Sequence, residues 1–100
     1  MVKHVIIWNL KDEYSPSEKQ EIMLGIKEGL EGLMGKIPGL TEIKVQIESL
    51  GSSTGDLMLD STFESEEALK EYAIHPAHVE VADTKVRPYT KTRSCMDFEI

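Results

Sequence analysis

The sequence predicts an α+β sandwich, with one four-stranded antiparallel sheet, helices on one of its faces, and elements in the order β-α-β-β-α-(α)-β. Three observations carry this prediction. The chain opens on a near-continuous apolar run, a stretch of 3.6-residue periodicity follows, and two stretches of apolar–polar alternation come next. One hundred residues, 40% hydrophobic and 29% charged, fit a single core with ordinary globular composition, so residues 1–100 are expected to be one domain.

Residues 2–10 place apolar side chains on both faces of an extended segment, as a central strand covered on both sides requires. Ser15-Pro16-Ser17-Glu18 supplies a hydroxyl at the N-cap, proline at the first helical position and glutamate at the third, which starts a helix. From there Ile22, Met23, Ile26, Leu30, Leu33, Met34 and Ile37 fall within about 120° of a helical wheel. The expectation is one amphipathic helix ended by Pro38-Gly39. Residues 41–50 alternate, with Ile43, Val45 and Ile47 on one face, and predict an edge strand. Residues 51–55 are a turn, and residues 56–63 alternate again with Leu57, Leu59, Ser61 and Phe63 facing one way. Ser65 caps a second helix with Ala68, Leu69 and Tyr72 on its inner face. His75 precedes Pro76, which disfavours helical backbone at His75, so that helix stops near Ile74 and a short new one starts. Residues 92–100 form the last strand, with Met96, Phe98 and Ile100 on one face. This order is that of a ferredoxin-like sandwich, whose first and third strands are central.

Eleven Lys and Arg against eighteen Asp and Glu leave a net charge of −7, which argues against a phosphate-backbone partner. No nucleic acid is expected. Lys27, Glu28 and Glu31 exclude a membrane span for the first helix, although Gly25, Gly29 and Gly32 repeat on it; that stripe suits close approach of a neighbouring element. The only cysteine, Cys95, cannot form an internal disulfide, and the first residues are too poorly flanked for a signal peptide, so a cytoplasmic location is expected. No histidine pattern pairs with Cys95, no helical His-x-x-x-His or Glu-x-x-His spacing occurs, and no P-loop is present. Neither a metal nor another cofactor is expected.

Particular residues resemble a known family. Val2-Lys3-His4-Val5-Ile6, Thr62-Phe63-Glu64-Ser65-Glu66-Glu67, the run Tyr72-Ala73-Ile74-His75-Pro76-Ala77-His78-Val79 and the closing Asp97-Phe98-Glu99 resemble the stress-responsive α/β-barrel (Dabb) family, over nearly the whole chain. The resemblance implies a homodimer in which two sheets close into a dimeric α+β barrel, with a small pocket between sheet and helices in each subunit. Family members with a demonstrated activity resemble cofactor-free polyketide cyclases that use a histidine and a tyrosine. By position, His78 and Tyr72 match that pair, and His4 matches the histidine on the first strand.

The chemistry suits those residue types. A pocket imidazole removes an acidic proton between two carbonyls, and a phenol donates a hydrogen bond to the developing enolate. The competing reading makes Tyr72 a core aromatic and His78 a packing or capping residue, while His75 and Pro76 serve the junction between helices. His4 is either a satisfied core group or the residue that orients His78. Ile6, Trp8, Ile22, Met23, Ile26, Leu57, Leu59 and Ser61 are the expected pocket lining. Trp8 shares a strand face with His4 and Ile6, so its indole should limit the ligand to a short or flat one. Two functions follow: an acid-base enzyme on a small carbonyl or aromatic compound, or a non-catalytic stress-linked or ligand-binding dimer. A cavity reaching both His78 and Tyr72 separates them. The second strand face of residues 2–10 needs a partner, which places Val5, Ile7 and Met58 on the side that closes the dimer.

Overall fold

The computed structural model describes residues 1–100 and runs β1 (Val2–Leu10), α1 (Pro16–Glu31), β2 (Leu40–Gln46), β3 (Leu57–Phe63), α2 (Glu66–Ile74), α3 (Pro76–Val81), a π-helical turn (Ala82–Val86) and β4 (Thr90–Glu99). The strands lie in the order β2-β3-β1-β4, every neighbour antiparallel. This is the expected ferredoxin-like α+β fold, with β1 and β3 central. Val2, His4, Ile6, Trp8 and Leu10 are buried on one face of β1, and Leu57, Leu59, Ser61 and Phe63 continue that face on β3. Ile26 and Leu30 of α1 and Tyr72 of α2 close the core above them. On the opposite face Ile7 is 42% exposed, and Val5 and Met58 are half-buried. No helix is long and apolar enough to cross a membrane.

Local chemistry sets the element ends. The Ser15 hydroxyl accepts from the Glu18 N–H and the Glu18 carboxylate accepts from the Ser15 N–H, a complete capping box with Pro16 next. The Ser65 hydroxyl accepts from the Ala68 N–H, and the His75 ring Nδ1 accepts from the Ala77 N–H. His75 thus ends α2 and caps α3 with one extended residue, because Pro76 excludes the helical backbone before it.

Three boundaries differ from expectation. α1 stops at Glu31, not at Pro38-Gly39, and residues 32–36 are turns. Gly29, Gly32 and Gly35 each weaken a helix by up to about 1 kcal/mol relative to alanine. Leu33 and Ile37 still reach the core from the turns, whereas Met34 is half exposed. β2 spans Leu40–Gln46 rather than residues 41–50, since its last pair is Gln46 with Met58 and no partner exists beyond it. An irregularity between Leu40 and Glu42 turns Leu40 inward. β4 begins at Thr90, where it pairs with Leu10; its polar start carries no alternation to read.

The glycine stripe acts at one position only. A Cβ on Gly29 would sit 3.0 Å from side-chain carbons of Val81 and Lys85, so the α3 end of the chain packs closely there. Gly25 meets nothing, and Gly32 meets only backbone of its own helix. Gly39 has φ +83°, and a Cβ there would come 2.5 Å from the Ala68 Cβ, which lets this turn lie directly against α2.

Candidate functional site

A cavity of about 630 Å³ opens between the β1–β4 side of the sheet and the helices α2 and α3. Twelve of its 21 lining residues are hydrophobic, so the interior is mainly apolar, while its rim carries charge from Glu66, Lys70, Arg87, Arg93, Asp97 and Glu99. His4, Ile6, Trp8, Leu59, Tyr72 and His78 all line it. Ile22, Met23, Ile26, Leu57 and Ser61 do not. These five are corrected from pocket lining to other positions: α1 makes its main sheet contact with β2, so that only Leu30 of that helix reaches the cavity, Leu57 lies on β3 outside the lining, and the Ser61 hydroxyl is spent on the His4 carbonyl.

The helix break at His75-Pro76 positions His78. It lets α3 turn back so that the His78 ring lies over the Tyr72 ring, with centroids 4.1 Å apart and planes 32° apart. Tyr72 is 1% exposed, yet its hydroxyl has no hydrogen-bond partner in the protein. Burial pushes its ionisation well above the ordinary phenol range, against the opposing pull of Arg93, so it stays a proton donor. A buried donor without a partner is costly, and a ligand oxygen in the cavity would satisfy it. Burial likewise lowers the His78 pKa, against the opposing hydrogen bond to the Ala73 carbonyl and with help from the nearby Arg87 charge, so the neutral imidazole is favoured near pH 7. Its Nδ1 lies 3.3 Å from the Ala73 carbonyl, which can only accept; the proton therefore sits on Nδ1 and Nε2 is the free base.

His4 does not hydrogen-bond to His78. Its Nδ1 lies 2.5 Å from the Asp97 carboxylate across the β1–β4 ladder, and its ring meets the edges of Tyr72 and Phe63 at 6.0 and 6.3 Å. His4 thereby supports the Tyr72 ring directly. Sequence reasoning missed Asp97, Cys95 and Arg93 as pocket residues. The signal was the pairing of β1 with β4: antiparallel register sets Asp97 opposite His4, Cys95 opposite Ile6 and Arg93 opposite Trp8, all on the helix-covered face.

That register also corrects the expectation that no histidine accompanies Cys95. Its Sγ is 3.8 Å from His4 Nδ1 and 3.5 Å from Asp97, and ligand atoms of the three residues lie within 4.8 Å of one another, the reach of one divalent ion. Linear spacing hides such a cluster because its members come from two strands. Burial and then the Asp97 charge raise the Cys95 pKa, which keeps the thiol protonated whereas metal ligation needs the thiolate.

Comparison with known proteins adds to this geometry. The family model described as the stress responsive A/B barrel domain matches residues 2–100. A stress-response A/B barrel domain-containing protein of Arabidopsis thaliana is 40% identical over 82 residues, covering 81% of this chain and 73% of the relative. Olivetolic acid cyclase of Cannabis sativa is 31% identical over 85 residues, covering 82% of this chain and 80% of the relative. Among solved structures, a dimeric protein of unknown function with a ferredoxin-like fold from Bacteroides fragilis superimposes with a TM-score of 0.91 at 31% identity, over 99% of this chain and 95% of that one.

Proposed function

The chain belongs to the stress-responsive A/B barrel family, and on that premise we propose that it is a homodimer performing cofactor-free acid-base chemistry, as a polyketide cyclase does, on a small carbonyl or aromatic compound. The observation that carries this reading is the His78 ring stacked on Tyr72, whose buried hydroxyl is unpartnered, both lining a cavity of about 630 Å³. In the proposed step His78 Nε2 takes a proton from carbon beside a carbonyl. The electron pair moves onto the carbonyl oxygen, which accepts a hydrogen bond from Tyr72. His4, held by Asp97, braces the phenol. The relative named as a cyclase supports this chemistry.

The dimer rests on the uncovered sheet face, where Ile7 and Met96 are exposed beside half-buried Val5 and Met58, and on structural neighbours described as dimeric. Sheets packed through these faces would bury it.

One observation favours the non-catalytic, ligand-binding reading: His78 already caps the Ala73 carbonyl, a role that packing alone explains. Turnover separates the two. On a β-dicarbonyl panel followed by deuterium uptake at the acidic carbon, His78→Ala should lower the rate about 10² to 10⁴-fold with the fold intact, and Tyr72→Phe by a smaller factor. Equal rates for wild type and His78→Ala would leave the binding-module reading standing.

A further inference from the structure

We propose that His4, Cys95 and Asp97 form a site for one borderline-soft divalent ion, zinc above all, on the wall of the cavity. This goes beyond the acid-base reading and does not depend on it, since neither His78 nor Tyr72 is a ligand.

Strand register builds the site. Cys95 and Asp97 lie two residues apart on β4 and so project from one face, and β1 sets His4 opposite Asp97 and Ile6 opposite Cys95. All three side chains line the cavity, and no other three His, Cys, Asp or Glu side chains of the chain come so close together. Their separations suit a tetrahedral ion. With bonds of about 2.0 to 2.2 Å to nitrogen and oxygen and about 2.3 Å to sulfur, tetrahedral ligands stand about 3.6 Å apart where one is sulfur and about 3.4 Å apart where neither is. Cys95 Sγ lies 3.8 Å from His4 Nδ1 and 3.5 Å from Asp97 Oδ1, which already fits. Only the 2.5 Å hydrogen bond between His4 Nδ1 and Asp97 must open. Asp97 supplies that movement, because its side chain is 45% exposed whereas that of His4 is 8% exposed and held in the core.

The donor set chooses the ion. A thiolate and an imidazole favour zinc over magnesium or calcium, which take oxygen ligands. Charge acts the same way: one thiolate and one carboxylate cancel a dication, so the bound ion adds no net charge to a mainly apolar cavity. The Cys95 thiol stays protonated until the ion arrives, and a dication at Sγ displaces that proton. On binding, the S–H proton leaves to solvent, the His4 ring proton moves from Nδ1 to Nε2, and no electron is transferred. Three protein ligands leave the fourth position open to the cavity for a water or a ligand oxygen. The buried, unpartnered Tyr72 hydroxyl lines the same cavity and is a donor for such an oxygen.

Cobalt(II) and zinc salts test this on the untagged, chelator-treated full chain. Cobalt should bind at one ion per chain, with the visible bands of a tetrahedral ion and a near-ultraviolet thiolate-to-cobalt charge-transfer band from Cys95, the only cysteine. One equivalent of zinc should displace it, and excess magnesium should not. Cys95→Ser should abolish the charge-transfer band, and Cys95→Ser and Asp97→Asn should each weaken zinc binding more than about tenfold with the circular dichroism unchanged. His78→Gln should leave band and affinity as in wild type, which separates this site from the acid-base pair. Absence of the charge-transfer band in folded wild type, its loss in His78→Gln, or zinc affinity unchanged in either Cys95→Ser or Asp97→Asn would overturn the inference and leave the acid-base reading in place.

Discussion

His78 and Tyr72 illustrate how burial moves two titratable groups in opposite directions. The imidazole is pushed down and the phenol up, so that a neutral base and a proton donor share one cavity at neutral pH. The sign for stability follows. Folding selects neutral His78, so the unfolded chain binds its proton more readily, and stability falls as pH drops below the unfolded value of about 6.5 until folded His78 also protonates. Thermal melts at pH 7.5 and 5.5 should show a larger loss for wild type than for His78→Gln. In a turnover assay the acidic limb should lie below pH 6.5, and no alkaline limb from Tyr72 should appear near pH 10. Trp8 is a second case at this scale, buried yet part of the pocket wall. Trp8→Ala should lower stability by about 3 to 5 kcal/mol in denaturant unfolding and widen the range of alkyl-substituted phenols bound. Preference of wild type for long-tailed phenols over compact ones would show that the indole does not limit ligand size.

At the scale of elements, the pocket depends on interruptions more than on regular structure. The break at His75-Pro76 separates α2 from α3 and brings His78 back over Tyr72. The turn at Gly39 lies directly on Ala68 of α2, the helix that carries Tyr72. Gly39→Ala meets both a positive φ and a 2.5 Å approach, and should destabilise by about 1 to 3 kcal/mol, measured by urea unfolding. Gly25→Ala, with open space around its Cβ in a helix interior, should instead stabilise by about 0.4 to 1 kcal/mol in the same measurement. The contrast separates glycines that geometry demands from one that it does not.

For the whole molecule, the unbalanced feature is the sheet. One face is covered by helices, while the other exposes Ile7 and Met96, and the terminal Ile100 is also open. A small domain buries a limited fraction of its surface, and an apolar face of this kind calls for a second copy. Sedimentation of wild type should give a species of twice 11.3 kDa, and Ile7→Glu should shift it to the monomer without loss of helical signal. A stable wild-type monomer at micromolar concentration would exclude the proposed dimer.

Element type and order were legible from residue patterns alone, because alternation, a capping box and His75-Pro76 act locally. The same local rules misplaced the end of α1: hydrophobic periodicity continues through Leu33 to Ile37, and only packing shows that turns deliver those side chains to the core. His78, Tyr72 and His4 could be singled out through resemblance, and Trp8 through its strand face. Tertiary structure decided which side of the sheet the cavity occupies, and so removed Ile22, Met23, Ile26, Leu57 and Ser61 from its lining. It also brought Asp97 and Cys95 to His4 and set Arg93 beside Trp8, since partners about 90 residues apart meet only once β1 and β4 pair in one register.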